Sequence, residues 1–243
     1  MIRRIELTDF RVYQHAVIEL NKGVTAVIGR NAQGKTSLAE AMSYLSTLKS
    51  FRGVPTEAMI RLGTTTAFIR ARVLHDDGRE ILIEARLTTQ GRNQVLVNGT
   101  KLPKTRDLLG MVRTTVFSPD DLELVKGGPH LRRDFLDDSL VALANKNDAL
   151  RLEVDRIVRQ RNAVLKQSGG RLSPDIATTL DVWDEKLATH GTQLGDVRAQ
   201  LLELLLPQVQ EAYVELAELR EDQTPIGMLY APEWRTKGLA HCL

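Results

Sequence analysis

Residues 29–36 read Gly29-Arg30-Asn31-Ala32-Gln33-Gly34-Lys35-Thr36, a complete G-x-x-x-x-G-K-T pattern. They follow the apolar run Val24-Thr25-Ala26-Val27-Ile28 and precede a segment with helical periodicity. A buried strand feeding a glycine-rich turn that opens a helix is the context in which this pattern cradles phosphate. Glycines at 29 and 34 are expected to supply left-handed backbone and close approach of N–H groups to phosphate oxygens. Lys35 supplies a mobile cation for the β- and γ-phosphates, and Thr36 a hydroxyl for the accompanying Mg²⁺. Leu38, Ala41, Met42, Leu45 and Leu48 recur at three- and four-residue spacing, so residues 35–48 are predicted to form a helix whose N-terminus faces the anion.

The remainder of the first half reads as β-structure. Residues 5–10 alternate apolar and polar, and Ala16, Ile18 and Leu20 alternate again, so two half-buried strands precede the strand at 24–28. Residues 67–74 and 80–88 are β-rich and joined through Asp77-Gly78, while 94–97 ends at Asn98-Gly99; both dipeptides favour hairpin turns. An antiparallel meander beside the nucleotide core is therefore expected. Residues 112–117 read as a further strand, followed by Ser118-Pro119-Asp120-Asp121, a capped helix start.

From Leu131 the pattern changes. Leu136, Leu140, Leu143, Asn147, Leu150, Val154, Ile157, Arg161 and Val164 are spaced 4-3-4-3, and after Gln167-Ser168-Gly169-Gly170-Arg171 a second series runs from Ile176 to Leu204. Two heptad segments around a glycine break predict an antiparallel helical hairpin. A third helical stretch is expected after Pro207, carried by Val209, Leu216 and Leu219, and a strand starting at Thr224. His190 lies on the apolar stripe without a second histidine at metal spacing and reads as a packed residue. The domain reading is 1–130, 131–222 and a return towards the first lobe at 223–243.

Of the 243 residues, 42% are hydrophobic and 26% charged, with a net charge of +2, so any nucleic-acid contact must come from a local patch. Lys49, Arg52, Arg61, Arg132 and Arg133 are candidates, although scattered surface charge is the commoner role for each. The single cysteine, Cys242, excludes a disulfide framework and a cysteine-based metal site, and no run of eighteen apolar residues occurs. A cytoplasmic protein that does not enter a membrane is expected.

Several stretches together resemble the RecF family of recombination-repair ATPases, relatives of the SMC and ABC-type heads. They include Thr8-Asp9-Phe10-Arg11, the loop with Ser37-Leu38-Ala39-Glu40-Ala41 behind it, and Leu48-Lys49-Ser50-Phe51-Arg52. Phe117-Ser118-Pro119-Asp120-Asp121-Leu122, Arg132-Arg133-Asp134-Phe135-Leu136-Asp137 and Val182-Trp183-Asp184 extend the likeness along nearly the whole chain. The resemblance implies an α/β fold, a P-loop NTPase of the SMC/ABC head type with an antiparallel meander and an appended helical-hairpin lobe. It further implies ATP and Mg²⁺ as cofactors, single-stranded or gapped DNA as partner, RecO and RecR as co-workers, and a role in recombinational repair, replication-gap processing and the SOS response; an ATP-dependent homodimer is implied for the full-length family and not expected of this chain. By the same resemblance, Arg11 is a candidate nucleotide contact. A self-contained P-loop enzyme, such as a small-molecule kinase or a transporter-type ATPase subunit, is the alternative.

The family continues into a signature helix opening and a Walker B strand, neither recognisable in these residues, so the chain reads as C-terminally shortened. Asp120-Asp121 and Asp137-Asp138 lack the preceding apolar strand that a Walker B requires. They are expected to be helix-terminal and surface acids, and hydrolysis of ATP is expected to stay near background. Ser168-Gly169-Gly170 imitates part of the signature but falls at the hairpin tip. Asn145-Lys146-Asn147-Asp148 imitates a guanine-reading pattern but lies in the heptad run, so ATP is favoured over GTP.

Overall fold

The computed structural model describes residues 1–217 and 226–243. The chain divides into two compact units, Met1–Gly128 and Pro129–Leu243.

The first unit is built on a six-stranded antiparallel sheet in the order β2-β1-β3-β4-β5-β6. Its strands are β1 (Ile2–Phe10), β2 (Tyr13–Glu19), β3 (Thr66–Leu74), β4 (Glu80–Thr88), β5 (Gln94–Val97) and β6 (Thr100–Lys101). The strict alternation in β1, β3 and β4 fixes the register, because a one-residue slip would turn the whole apolar set to solvent. Ile5, Leu7, Ile69, Ala71, Ile83, Ala85 and Leu87 point to one face and are fully or almost fully buried. The opposite face carries cross-strand ion pairs, with Arg70 between Glu6 and Glu84 and Arg4 beside Glu19. Asn98 and Gly99 both take positive φ, 49° and 77°, as a two-residue hairpin turn between β5 and β6 demands. The helix α1 (Lys35–Thr47) packs on the apolar face through Leu38, Ala41, Tyr44 and Leu45, and ends at Leu48, whose N–H caps the Tyr44 carbonyl at 2.8 Å.

Two expected strands are absent among the described residues. Residues 24–28 run as unpaired chain, with Val24 100% and Ile28 92% exposed. Residues 112–117 make only a single bridge, from Val112 to Leu109, and Phe117 is 88% exposed. An apolar run becomes a buried strand only when neighbouring strands satisfy its backbone and cover its faces. The six-stranded sheet includes neither segment. Ser118 and Asp121 form a reciprocal cap on a short 3₁₀ turn, Pro119–Leu122, which leads into α2 (Glu123–Lys126). Asp120 and Asp121 are thus helix-terminal acids, as expected.

The second unit is helical: α3 (Pro129–Leu143), α4 (Lys146–Gln167), α5 (Pro174–Ala217), α6 (Trp234–Lys237) and α7 (Leu239–Cys242). The first heptad series is two helices, because the chain turns at Ala144 and Asn145; the amide of Asn147 holds the Leu140 carbonyl at 2.8 Å across the break. Helices α4 and α5 form the expected hairpin, with Gly169 and Gly170 in left-handed conformation at its tip and Arg161 paired to Asp184 across it. Asp137 is not a surface acid. It is buried and holds Arg198 of α5 by two bonds of 2.7 Å, beside Leu136, Leu140 and Leu201.

The predicted third helix is instead a continuation of α5 through Pro207. Packing of Val197, Leu201, Leu202 and Leu205 on the cluster around α3 spans the residues before the proline, which removes one backbone donor without ending the helix. Leu219 and the start of the strand expected from Thr224 fall outside the described residues, and 226–230 form no strand. Residues 226–243 belong to the second unit, where the Trp234 indole lies against Gly195, and Leu239 against Gly191, on α5. His190 is half-buried and bonds the Lys186 carbonyl one turn back at 3.0 Å, consistent with a packing role.

Candidate nucleotide site

The phosphate loop ends at Gly34, which caps the N-terminus of α1 with φ 95°. Left-handed backbone is therefore found at Gly34 and at Ala32, φ 64°, whereas Gly29 does not adopt it. Lys35 occupies the first turn of α1 and folds its Nζ back to the carbonyls of Gly29 and Arg30, at 2.6 and 2.7 Å. A lysine held by two loop carbonyls stays above the loop, where its charge adds to the partial positive charge of the helix N-terminus. Thr36 is exposed on the same turn, and Ser37 is buried behind it.

In front of the loop is a cavity of about 530 Å³. It is lined by Asn31, Ala32, Gly34, Lys35, Thr36 and Ser37 of the loop and α1, by Arg11 and Val12 of the β1–β2 turn, and by Arg52, Ala58, Ile60 and Leu62 of the segment after α1. Arg30 and Gln33 are exposed loop residues that do not line it. The cavity thus combines the N–H groups of the loop, Lys35 and two arginines with the apolar side chains of Val12, Ala58, Ile60 and Leu62.

Arg11 reaches the cavity through the tight turn between β1 and β2, where Asp9 and Arg11 both take positive φ, 49° and 53°. Two non-glycine residues in the left-handed region cost on the order of 1–3 kcal/mol each, so the surroundings must hold them. They do so by three backbone contacts: the Arg11 N–H to the Met59 carbonyl, the Arg61 N–H to the Asp9 carbonyl, each 2.8 Å, and a bridge between Phe10 and Ile60. The Arg11 guanidinium forks onto Glu40 of α1, at 2.8 and 2.6 Å, and donates to the Ala58 carbonyl at 2.7 Å. Glu40 is completely buried. Arg11, expected to meet nucleotide, therefore lines the cavity while three of its five N–H groups are engaged by protein.

Of the basic residues considered for a backbone-binding patch, Arg52 belongs to the cavity and Arg61 lies 3.7 Å from Asp9. Among the described residues no cluster of His, Cys, Asp and Glu could hold a metal, and no helix is long and apolar enough to cross a membrane.

A sequence profile of the RecF/RecN/SMC N-terminal domain family matches residues 1–180. The chain belongs to this family. Within it the RecF proteins are its relatives: the "DNA replication and repair protein RecF" of Cutibacterium acnes is 39% identical over 225 residues, covering 90% of this chain and 57% of the relative. The protein of the same name from Streptomyces avermitilis is 39% identical over 246 residues, covering 99% of this chain and 64% of the relative. The solved structure of the recombination mediator protein RecF-ATP in the RecFOR pathway superposes with a TM-score of 0.83 at 31% identity, over 89% of this chain and 58% of that one. The chain spans a little over half the length of the RecF proteins it matches. The fold is that of a RecF-type P-loop ATPase, as the motif series implied.

Sequence reasoning missed Glu40 and the wall formed by Val12, Ala58, Ile60 and Leu62. Glu40 was legible in principle. It stands on the same helical stripe as Ser37, Ala41 and Tyr44, and a carboxylate on a core-facing stripe requires a buried cation. The wall was not, because its residues come from a turn and a loop without periodicity.

Proposed function

We propose that this chain binds Mg·ATP in the cavity above Lys35 and, through that, takes part in nucleotide-gated DNA binding in recombinational repair and replication-gap processing of the RecF type. The observation that carries the reading is the Lys35 loop capping α1 beside a cavity of mixed polar and apolar lining, in a chain of the RecF family. The N–H groups at Gly34 and in the first turn of α1, with Lys35, would hold the triphosphate, and Thr36 would give its hydroxyl to Mg²⁺. Gly29, Arg30, Asn31, Ala32 and Gln33 would form the rest of the loop around the phosphates, with Arg11 beside the nucleotide. Bound phosphate would draw Lys35 Nζ from the Gly29 and Arg30 carbonyls, coupling the loop to the nucleotide.

Single-stranded or gapped DNA as ligand, RecO and RecR as partners, a part in the SOS response and a cytoplasmic setting follow from the same family reading; the ATP-dependent homodimer is a property of the full-length family, and these 243 residues alone are not expected to form it. Asp121 caps a 3₁₀ turn and Asp137 is engaged by Arg198, so neither supports a metal-binding acid. Hydrolysis by these 243 residues is accordingly expected near background.

The DNA reading is tested by fluorescence anisotropy on a gapped duplex, with and without Mg·ATP, across a salt series. Binding should strengthen with ATP and weaken steeply with salt as phosphate contacts release counterions. Absence of binding at low salt in both conditions would refute it.

A further inference from the structure

Glu40 is the one acidic side chain of α1, it is completely buried, and it gathers three segments that border the cavity. From the β1–β2 turn, Arg11 gives it two N–H bonds. From the segment after α1, the Ser50 hydroxyl donates to it, and that hydroxyl in turn accepts the Arg52 N–H at 3.1 Å. From the 3₁₀ turn at Thr56–Met59, the Ala58 carbonyl is reached through the same Arg11 guanidinium, at 2.7 Å. Glu40 stands five residues beyond Lys35 on one rigid helix. A single carboxylate thus connects the helix behind the phosphate loop to the segments that bring Arg11, Arg52 and Ala58 to the cavity.

We infer that Glu40 is a positioning residue for nucleoside recognition: through Arg11 it fixes a wall of Ala58, Ile60 and Leu62 at the distance from Lys35 that a nucleoside triphosphate requires. The inference rests on the nucleotide reading above and deepens it. Removing either partner would leave a buried charge uncompensated, as in any core ion pair, but two further properties set this contact apart. First, it is made by Arg11, which like Asp9 is a non-glycine residue held in left-handed conformation, strain of the kind that collects at ligand sites. Second, the cavity residues it holds are Ala58, Ile60 and Leu62, and apolar side chains with a few convergent polar groups receive the base and sugar rather than phosphate. The loop and the helix N-terminus bind the triphosphate without Glu40; the wall binds the nucleoside only when Glu40 holds it.

That division of labour is measurable. Mg·ATP and Mg·tripolyphosphate are titrated calorimetrically into the whole chain and into Glu40→Gln, Arg11→Lys and the double variant, each first shown to melt cooperatively. Gln keeps the shape of Glu40 but loses its charge, and Lys keeps the charge of Arg11 but loses the fork that reaches Glu40 and Ala58 together. The expected result for Glu40→Gln is a loss of about tenfold for ATP, with tripolyphosphate affinity unchanged within about twofold; Arg11→Lys should lose at least as much for ATP, since Arg11 also lines the cavity. The double variant should lose about as much ATP affinity as Arg11→Lys alone, because Glu40 acts through Arg11. Equal losses for the two ligands, unchanged ATP affinity, or losses that multiply in the double variant would each overturn the inference. If Glu40→Gln does not fold, Ser50→Ala, which removes a bond to Glu40 from a residue outside the cavity lining, takes its place with the same expected direction for the two ligands. A wild-type chain that binds tripolyphosphate but prefers it to ATP overturns the positioning role and leaves the phosphate loop standing. One that binds neither overturns the nucleotide reading and this inference with it.

Discussion

The Tyr13 ring occupies the space that any side chain on Gly34 would need: a Cβ there would lie 2.8 Å from Tyr13 Cζ and 2.9 Å from its hydroxyl oxygen, with Val12 Cγ2 also at 2.8 Å. The same hydroxyl donates to the Gly34 carbonyl at 3.1 Å. The last glycine of the phosphate loop is therefore fixed by its neighbours as well as by its φ of 95°.

Gly34→Ala should consequently weaken Mg·ATP by more than the roughly 1–2 kcal/mol of left-handed strain, because Tyr13 and Val12 must also move. A loss of at least about tenfold in calorimetry is expected, and Tyr13→Ala in the same chain should restore part of it by opening the space. Full affinity in Gly34→Ala would show that the loop does not hold this conformation when nucleotide binds.

In the helical unit, Asp137 and Arg198 are a buried pair, about 11% and 13% exposed at their side chains. For Arg198, burial acts to lower the guanidinium pKa, but the bonds it donates to Asp137 and Tyr230 outweigh it and the net direction is upward. Asp137→Asn leaves that cation without its counter-charge and should destabilise by about 2–3 kcal/mol, somewhat less than for a wholly dry pair. Adding Arg198→Met should recover most of the loss, since an apolar side chain needs no partner. Urea titration of the four chains checks both expectations; additive destabilisation in the double variant would contradict them.

Tyr44 lies against the sheet on α1, and burial pushes its hydroxyl from 10.0 up to about 12, with a bond to Asn93 pulling the other way. Because the folded value exceeds the unfolded one, this contribution is intact below pH 10 and is lost as pH rises towards 12, amounting to about 2–3 kcal/mol over that window. Tyr44→Phe should therefore reduce the fall in stability between those pH values. Identical alkaline denaturation profiles for the two proteins would contradict the assignment.

How much of this was legible beforehand depends on the distance over which each signal acts. Short-range signals held: the helix behind Lys35 packs through Leu38, Ala41 and Leu45, the β3–β4 turn falls at Asp77 and Gly78, and the α4–α5 hairpin turns at Gly169 and Gly170. Signals that needed a distant partner failed. The apolar residues at 24–28 and 112–117 suggested buried strands, but a strand is defined by neighbours, and nothing local in either run names them. Pro207 was read as a helix end, because its effect on the backbone is local and the packing that carries α5 past it is not. At the site, the place of the loop and of the helix behind it could be read from the motif, although the left-handed backbone falls at Ala32 and Gly34 and not at Gly29. Burial of Glu40 was legible from its helical stripe, but its link to Ala58 was not, since Arg11 and Ala58 are 47 residues apart in sequence and meet only in the fold.

The central claim is that residues 29–36 form a nucleotide site operated by Lys35. It is tested most directly by calorimetric titration of Mg·ATP into the chain and into Lys35→Ala. The wild-type chain should bind one equivalent, and the variant should lose at least about 30-fold, or ~2 kcal/mol, with its thermal unfolding unchanged. Equal affinity in the two proteins would contradict the account.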